Sequence, residues 1–207
     1  MNYKTEQESF WAGQFGDNYI DRNKSKNILA SNTNFLSSAL KRTSGIKNCI
    51  EFGSNIGNNL KALNYLLPEV DKSAIEINPK AISQLKEVVS SDNIFEGSIL
   101  DYQPIEKFDL VLIKGVLIHL DPKYLEAVYQ KLVCSCKKYL LIAEYYNPTP
   151  VTINYRGHQN KLFKRDFAGE LMDSYPFMIL SDYGFCYHRD PIFPADDYTW
   201  FLLKNDK

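Results

Sequence analysis

An open, mostly parallel α/β sheet with helices on both faces is the fold class this sequence predicts, and three observations predict it. Short apolar runs of strand character alternate with segments of helical periodicity up to residue 144. The 207 residues suit a single domain with a sizeable core. The last two apolar runs, over 178–187 and 198–203, have no helix between them and so pair antiparallel. Seven strands result, with the last one reversed.

Taken in order, the chain begins with Phe10, Trp11, Phe15 and Tyr19, spaced by Gly13 and Gly16, ahead of any sheet pattern. Ile28, Leu29, Phe35, Leu36, Ala39 and Leu40 recur at helical spacing and predict an amphipathic helix over 27–40. Cys49, Ile50 and Phe52, interrupted by Glu51, make a buried strand that turns at Gly53 and Gly57 into a helix. Leu60, Leu63, Leu66 and Leu67 line that helix and Pro68 ends it. The strand over 73–77 carries Glu76, and Asn78-Pro79 then supplies an N-cap and a proline at the first helical position, starting a helix that runs through Val88 and Val89. A third strand is expected over 93–96. The pattern over 108–113 is a buried strand with an edge acid, reaching Lys114-Gly115 and then His119. Leu125, Val128, Tyr129 and Leu132 mark a helix over 122–133, and the fifth strand spans 139–144. Two prolines and an asparagine over 147–150 stop regular structure, leaving Tyr145 and Tyr146 on an irregular rim. Residues 155–165 bring Arg156, His158, Lys161, Lys164 and Arg165 with no carboxylate, either a local anion site or a solvated helix start; a helix over 167–174 follows.

The bulk numbers exclude several function classes. A net charge of -1 and a pI near 6.3 leave no general basic surface for nucleic-acid phosphates. No apolar run is long enough to span a membrane, and the polar start Met1-Asn2-Tyr3-Lys4 is unlike a signal sequence, so a cytoplasmic protein is expected. Cys49, Cys134, Cys136 and Cys186 show no C-x-x-C spacing and read as free thiols rather than metal ligands. The 14 tyrosines and 12 phenylalanines offer apolar faces suited to sugars or planar ligands.

The junction over 49–60 is the candidate ligand site. Gly53 and Gly57 let the backbone turn tightly, the following helix offers unpaired N–H groups, and Glu51 is an acceptor expected to face the same crevice. Asn55 stands where a nicotinamide fingerprint would place its middle glycine, so G-x-G-x-x-G is not met. Glu76, one strand-helix-strand unit downstream, sits where an acid takes ribose hydroxyls.

Glu51-Phe52-Gly53-Ser54-Asn55-Ile56-Gly57 followed by Glu76 resembles the class I S-adenosylmethionine-dependent methyltransferases. The stretches 10–16, 114–119, 144–148 and 155–158 are more similar still to a subgroup associated with biosynthesis of pseudaminic acid and related surface polysaccharides. The departure is Asn55, where many members carry a second glycine. The resemblance implies a Rossmann-like fold, one methyltransferase domain over 1–207 with a helical lid over 1–45 and a core over 46–207, and S-adenosylmethionine as cofactor. It implies that Glu51, Gly53, Ser54, Asn55, Gly57, Glu76, Ile77, Ser98, Ile99 and the Lys114 backbone hold that cofactor, Ser98 and Ile99 bounding adenine. Trp11 and Tyr19 would belong to the lid, although ordinary packing of an N-terminal helix on the sheet edge explains them equally.

The acceptor is expected to be a small molecule, a sugar or nucleotide-sugar, attacking the sulfonium methyl in line. His119, His158 and Tyr145 are the candidate bases, His119 serving otherwise as a loop cap. Tyr146, Arg156 and Lys161 are the candidate substrate contacts, the two cations for an anionic group. A nicotinamide-dependent oxidoreductase and a non-catalytic cofactor-binding protein of the same fold are the alternatives.

Overall fold

The computed structural model describes residues 3–22 and 26–207; Met1 and Asn2 of the polar start lie outside the described residues. Among the described residues there are nine strands and seven α-helices: α1 (Glu6–Ala12), α2 (Gln14–Arg22), α3 (Lys26–Leu40), β1 (Asn48–Phe52), α4 (Asn58–Leu66), β2 (Asp71–Glu76), α5 (Pro79–Leu85), β3 (Ile94–Glu96), β4 (Phe108–Lys114), α6 (Leu125–Ser135), β5 (Cys136–Glu144), β6 (Val151–Tyr155), β7 (His158–Lys164), α7 (Phe167–Ser174), β8 (Met178–Phe185) and β9 (Thr199–Asn205).

Seven of the strands form one sheet in the order β3-β2-β1-β4-β5-β9-β8. β1 pairs in parallel with β2 and β4, β4 with β5, and β9 runs antiparallel to both neighbours. The expected mostly parallel sheet with a reversed last strand is therefore present.

Strand alternation divides the core into two layers. Ile50, Phe52, Val111, Ile113, Leu140 and Ile142 pack under α6 and α7. Cys49, Leu110, Leu112, Leu141 and Ala143 pack under α3 and α4, through Phe35, Leu36, Leu60 and Leu63. So α3, assigned from sequence to the lid segment, belongs to the covering layer of the sheet.

Two elements depart from the expected outline. The helix after Asn78 is shorter, ending at Leu85, because Lys86, Glu87 and Val88 continue as a turn. Residues 151–164 are not a helix start but an antiparallel hairpin, β6 with β7, outside the main sheet. Arg156 and Gly157 turn it, both at positive φ.

Candidate functional site

A cavity of about 580 Å³ opens above the carboxyl ends of β1, β2, β4 and β5, the edge where open α/β sheets take ligands. Its floor is the loop after β1. The N–H groups of Gly53 and Ser54 both donate to the Ile75 carbonyl, at 2.9 and 3.0 Å, which folds the loop back across β2. Gly53 has φ +75°, and a Cβ there would come within 2.6 Å of a Val116 methyl. Asn55 also lies in the left-handed region, at φ 49°, which asparagine tolerates better than most residues. Its side chain accepts from the Ile56 N–H at 2.8 Å. The departure from a second glycine thus costs the loop little.

Glu76 pins this floor from β2. Its Oε2 accepts the Asn55 N–H at 2.7 Å, and its Oε1 accepts the N–H groups of Ile77 and Asn78 at 2.9 and 2.8 Å. Burial raises its pKa against the pull of those three donors. With two lone pairs per oxygen, Oε1 is saturated and Oε2 keeps one lone pair.

Of the cofactor candidates, Gly53, Ser54, Asn55, Glu76, Ile77, Ser98, Ile99 and Lys114 line the cavity, as do Trp11 and Tyr19 of the N-terminal helices. Glu51 and Gly57 do not. Glu51 shares the parity of Cys49, so alternation turns it toward α4; there Asn59 donates to its Oε1 at 2.5 Å and burial pushes its pKa up to about 8. The expectation that Glu51 faces the crevice is corrected accordingly: Asn59 and Ser54 line the wall in its place. Gly57 caps α4 at φ +77°, and a Cβ there would meet Leu85 at 2.8 Å, so its glycine requirement comes from both its left-handed backbone and packing. Ser98 is also corrected in part, because its hydroxyl donates to Glu8 of α1 rather than standing free for adenine.

Helices α1 and α2 form the roof. A capping box, with Glu8 accepting the Thr5 N–H at 3.1 Å and Thr5 Oγ1 accepting the Glu8 N–H at 3.0 Å, starts α1. Asn78 Nδ2 then holds the segment through the Trp11 carbonyl at 3.1 Å and Asp17 at 2.9 Å. Trp11 crosses the His119 ring at 4.6 Å between centroids, and Tyr155 of the hairpin covers the same imidazole at 5.0 Å.

His119 lies in the 3-10 turn Leu117–His119, buried, with Nδ1 at 2.6 Å from the Lys161 carbonyl. A carbonyl only accepts, so Nδ1 carries the proton and Nε2 is left as an acceptor. Burial lowers the pKa to about 4 and keeps the ring neutral. The turn itself is fixed by Glu144 at the end of β5, whose Oε1 accepts from Val116 and Leu117 at 2.9 Å each; burial raises this carboxyl to about 7.

The other catalytic and substrate candidates separate. Tyr145 lines the cavity, but burial, with Asp196 beside it, raises its phenol above the ordinary range, which makes it a neutral hydrogen-bond donor rather than a base. His158 is exposed outside the cavity and packs on Phe10 and Phe15 at 4.9 and 5.7 Å. Tyr146 is 41 % exposed and leans on Phe201 instead of the cavity. Arg156 reaches the mouth, whereas Lys161 pairs with Glu6 at 3.0 Å, Lys164 covers the Tyr145 ring, and Arg165 pairs with Glu170. The basic run of 155–165 does not converge, since the hairpin sends its cations in different directions.

Sequence reasoning missed Asn32, which accepts from the Lys114 ammonium at 3.2 Å, together with Asn59, Glu144 and Asp196. The signal for Glu8 was present in Thr5-x-x-Glu8; for the others the partners come from distant segments. Gln7 Oε1, Trp11 Nε1, Asn59 Oδ1 and Glu144 Oε2, all on residues of the cavity wall, are buried with no hydrogen-bond partner among the described residues.

No protein-family model and no curated protein matches the chain. Solved structures do. N-methyltransferase NodS from Bradyrhizobium japonicum WM9, in complex with S-adenosylhomocysteine, is similar at TM-score 0.67 and 16% identity over 92% of this chain and 98% of that one. The 1,6-didemethyltoxoflavin-N1-methyltransferase of Burkholderia thailandensis, bound to 1,6-didemethyltoxoflavin and S-adenosylhomocysteine, gives 0.69 and 12% over 97% and 87%. Magnesium protoporphyrin IX methyltransferase from Synechocystis PCC 6803, with bound S-adenosylmethionine, gives 0.63 and 12% over 99% and 100%. Together with the strand order and the reversed last strand, these likenesses identify the architecture: the chain has the Rossmann-like fold of the S-adenosylmethionine-dependent methyltransferases.

Proposed function

We propose that this protein is an S-adenosylmethionine-dependent methyltransferase acting on a small acceptor. The observation that carries the reading is the floor of the cavity. Glu76 is held at the end of β2 by three backbone donors, keeps one lone pair on Oε2, and stands beneath a glycine-turned loop at the carboxyl edge of the sheet. The cavity volume falls within the range of cofactor sites. The unpaired polar atoms on its wall residues also fit a polar ligand. Ser54, Asn55, Glu76, Ile77 and Ile99 would hold the cofactor, with Trp11 and Tyr19 closing over it. When bound, that cofactor supplies an electrophilic methyl group on a sulfonium.

The chain's own contribution is placement and one proton acceptor. Trp11 and Tyr155 exclude water from His119 and present apolar faces to an acceptor ring. The Nε2 lone pair of His119 takes the proton of an attacking hydroxyl, while Nδ1–H stays on the Lys161 carbonyl. Tyr145 lines the same wall, its phenol hydrogen-bonded to Asp196. Arg156 at the mouth suits a carboxylate or phosphate on the acceptor. We therefore read the acceptor as an acidic sugar or nucleotide-sugar of surface-polysaccharide biosynthesis, of the pseudaminic acid type, handled in the cytoplasm by a single methyltransferase domain.

Calorimetric titration with S-adenosylmethionine and with S-adenosylhomocysteine, beside a Glu76→Ala control, tests the cofactor. Micromolar binding of both, lost in the control, is expected. Absence of binding to either would overturn the reading.

A further inference from the structure

Lys161 was a substrate anchor on the sequence, but its two ends do something else. Its carbonyl, on β7, accepts the Nδ1–H of His119 at 2.6 Å, and its side chain crosses to the roof, where the ammonium pairs with Glu6 of α1 at 3.0 Å and sits 5.5 Å from the Phe10 ring centre. The lysine side chain is only 9% exposed, while its partner Glu6 is 67% exposed. Neighbouring contacts follow the same seam: Gln7 Nε2 donates to the Asn160 carbonyl at 3.0 Å, and Phe10 packs edge-on against His158.

We propose that Lys161 is a positioning residue that couples closure of the N-terminal helices to the state of His119: its carbonyl sets which imidazole nitrogen is free, and its ammonium holds α1, with Trp11, over that imidazole. The inference rests on the reading of His119 as proton acceptor. Both contacts arise from one residue on one strand, so a displacement of β7 moves the tautomer-setting carbonyl and the roof together. Lifting α1 removes the Trp11 face from the imidazole and admits water. A hydrated imidazole returns toward its ordinary pKa and is then partly protonated, with no lone pair to offer. The proton acceptor is therefore armed only beneath a closed roof.

The groups packed on the imidazole are Trp11 from α1, Tyr155 from β6 and the Lys161 carbonyl from β7. Tyr155 is the titratable side chain among them. Of the charged side chains on those elements, Glu6 and Lys161 pair with one another, Glu8 is held by the Ser98 hydroxyl and Thr5, and Lys164 lies over the Tyr145 ring.

The test reads His119 directly and needs no acceptor. Imidazole nitrogen resonances of ¹⁵N-labelled full-length protein would be followed from about pH 8 to pH 5, with the three histidine signals assigned by His119→Gln and His158→Gln. In the wild-type protein His119 is expected as the neutral Nδ1–H form throughout. In Lys161→Met, which keeps the carbonyl and the apolar stem but loses the ammonium, His119 is expected to titrate inside that window while its neutral fraction keeps the Nδ1–H form, and Lys161→Arg is expected to restore the wild-type behaviour. An unchanged His119 in Lys161→Met would overturn the proposal. Should Lys161→Met fail to fold, Glu6→Gln removes the same ion pair from its exposed side and is read in the same way. Titration with S-adenosylhomocysteine in parallel separates the two readings: a chain that does not bind it overturns the proposed function and leaves the His119 result standing, whereas binding with an unresponsive His119 overturns only the coupling.

Discussion

The floor and the roof of the cavity are built by opposite means. The floor is backbone held by backbone and one carboxylate: the Ile75 carbonyl and Glu76 take five N–H groups of the loop and the β2 end, all over residues 53–78. The roof is held mostly through side chains, with aromatic contacts and one ion pair joining residues 6–15 to His119 and to residues 155–161. Buried hydrogen bonds to a charged acceptor are worth more, and break less readily, than exposed ion pairs and ring contacts. A rigid floor can register a cofactor, and a weaker roof can open to admit it.

Removing Glu76 tests the floor most severely. Glu76→Ala takes the acceptor from three N–H groups, one buried and two partly buried, and a loss of about 3 kcal/mol of stability is expected, with S-adenosylhomocysteine affinity falling at least ~100-fold. Retained affinity in a folded Glu76→Ala protein would move the cofactor site away from the floor.

Next come two opposed pH dependences, from His119 beneath the roof and from Glu51 behind the wall. The folded pKa of His119, about 4, lies below its ordinary value, so between the two the unfolded chain binds the extra proton and stability falls as the pH drops. The loss is roughly 3 kcal/mol across that window. Glu51, at about 8 in the folded chain, lies above its ordinary value, so the folded chain binds the extra proton and stability falls as the pH rises toward 8. Denaturant unfolding as a function of pH should lose most of its acid slope in His119→Gln and part of its alkaline slope in Glu51→Gln, the raised Glu144 carboxyl carrying a further part. If both variants keep both slopes, these two groups do not set the profile.

Backbone strain sharpens the contrast within the floor. Gly53→Ala, at positive φ and against Val116, is expected to cost about 2 kcal/mol, while Asn55→Gly changes stability by about 0.5 kcal/mol or less. Equal costs in thermal melts would show that loop geometry is not the limiting factor. The smallest effect is expected at the mouth. Arg156→Ala should leave melting temperature and S-adenosylhomocysteine affinity unchanged and raise only the KM of an anionic acceptor, by about tenfold; a KM that does not move would remove Arg156 from acceptor recognition.

The floor was legible because its parts are near one another in sequence: the glycines, Glu76 and the Asn78-Pro79 start each carry a local conformational reason. The roof was not. The capping box Thr5-x-x-Glu8 marks where α1 begins, but nothing local says that Glu8 will take the Ser98 hydroxyl or that Glu6 will meet Lys161, more than 150 positions away. The run of cations over 155–165 misled for a related reason. Charge was read along the chain, whereas a hairpin separates neighbours in sequence onto different faces.

By itself the sequence determined the order of the main-sheet strands along the chain and the parallel core with its reversed last strand. Periodicity, turn residues and caps are properties of a few consecutive residues and act before the chain is folded. Tertiary structure alone decided that Glu51 supports the wall from behind, that Asn59, Asn32 and Glu144 take part, that Tyr145 is a donor, and that Lys161 belongs to His119 and the roof. Each of those assignments depends on which segments meet across the sheet edge, and on the burial that the meeting imposes on a carboxyl, an ammonium or an imidazole.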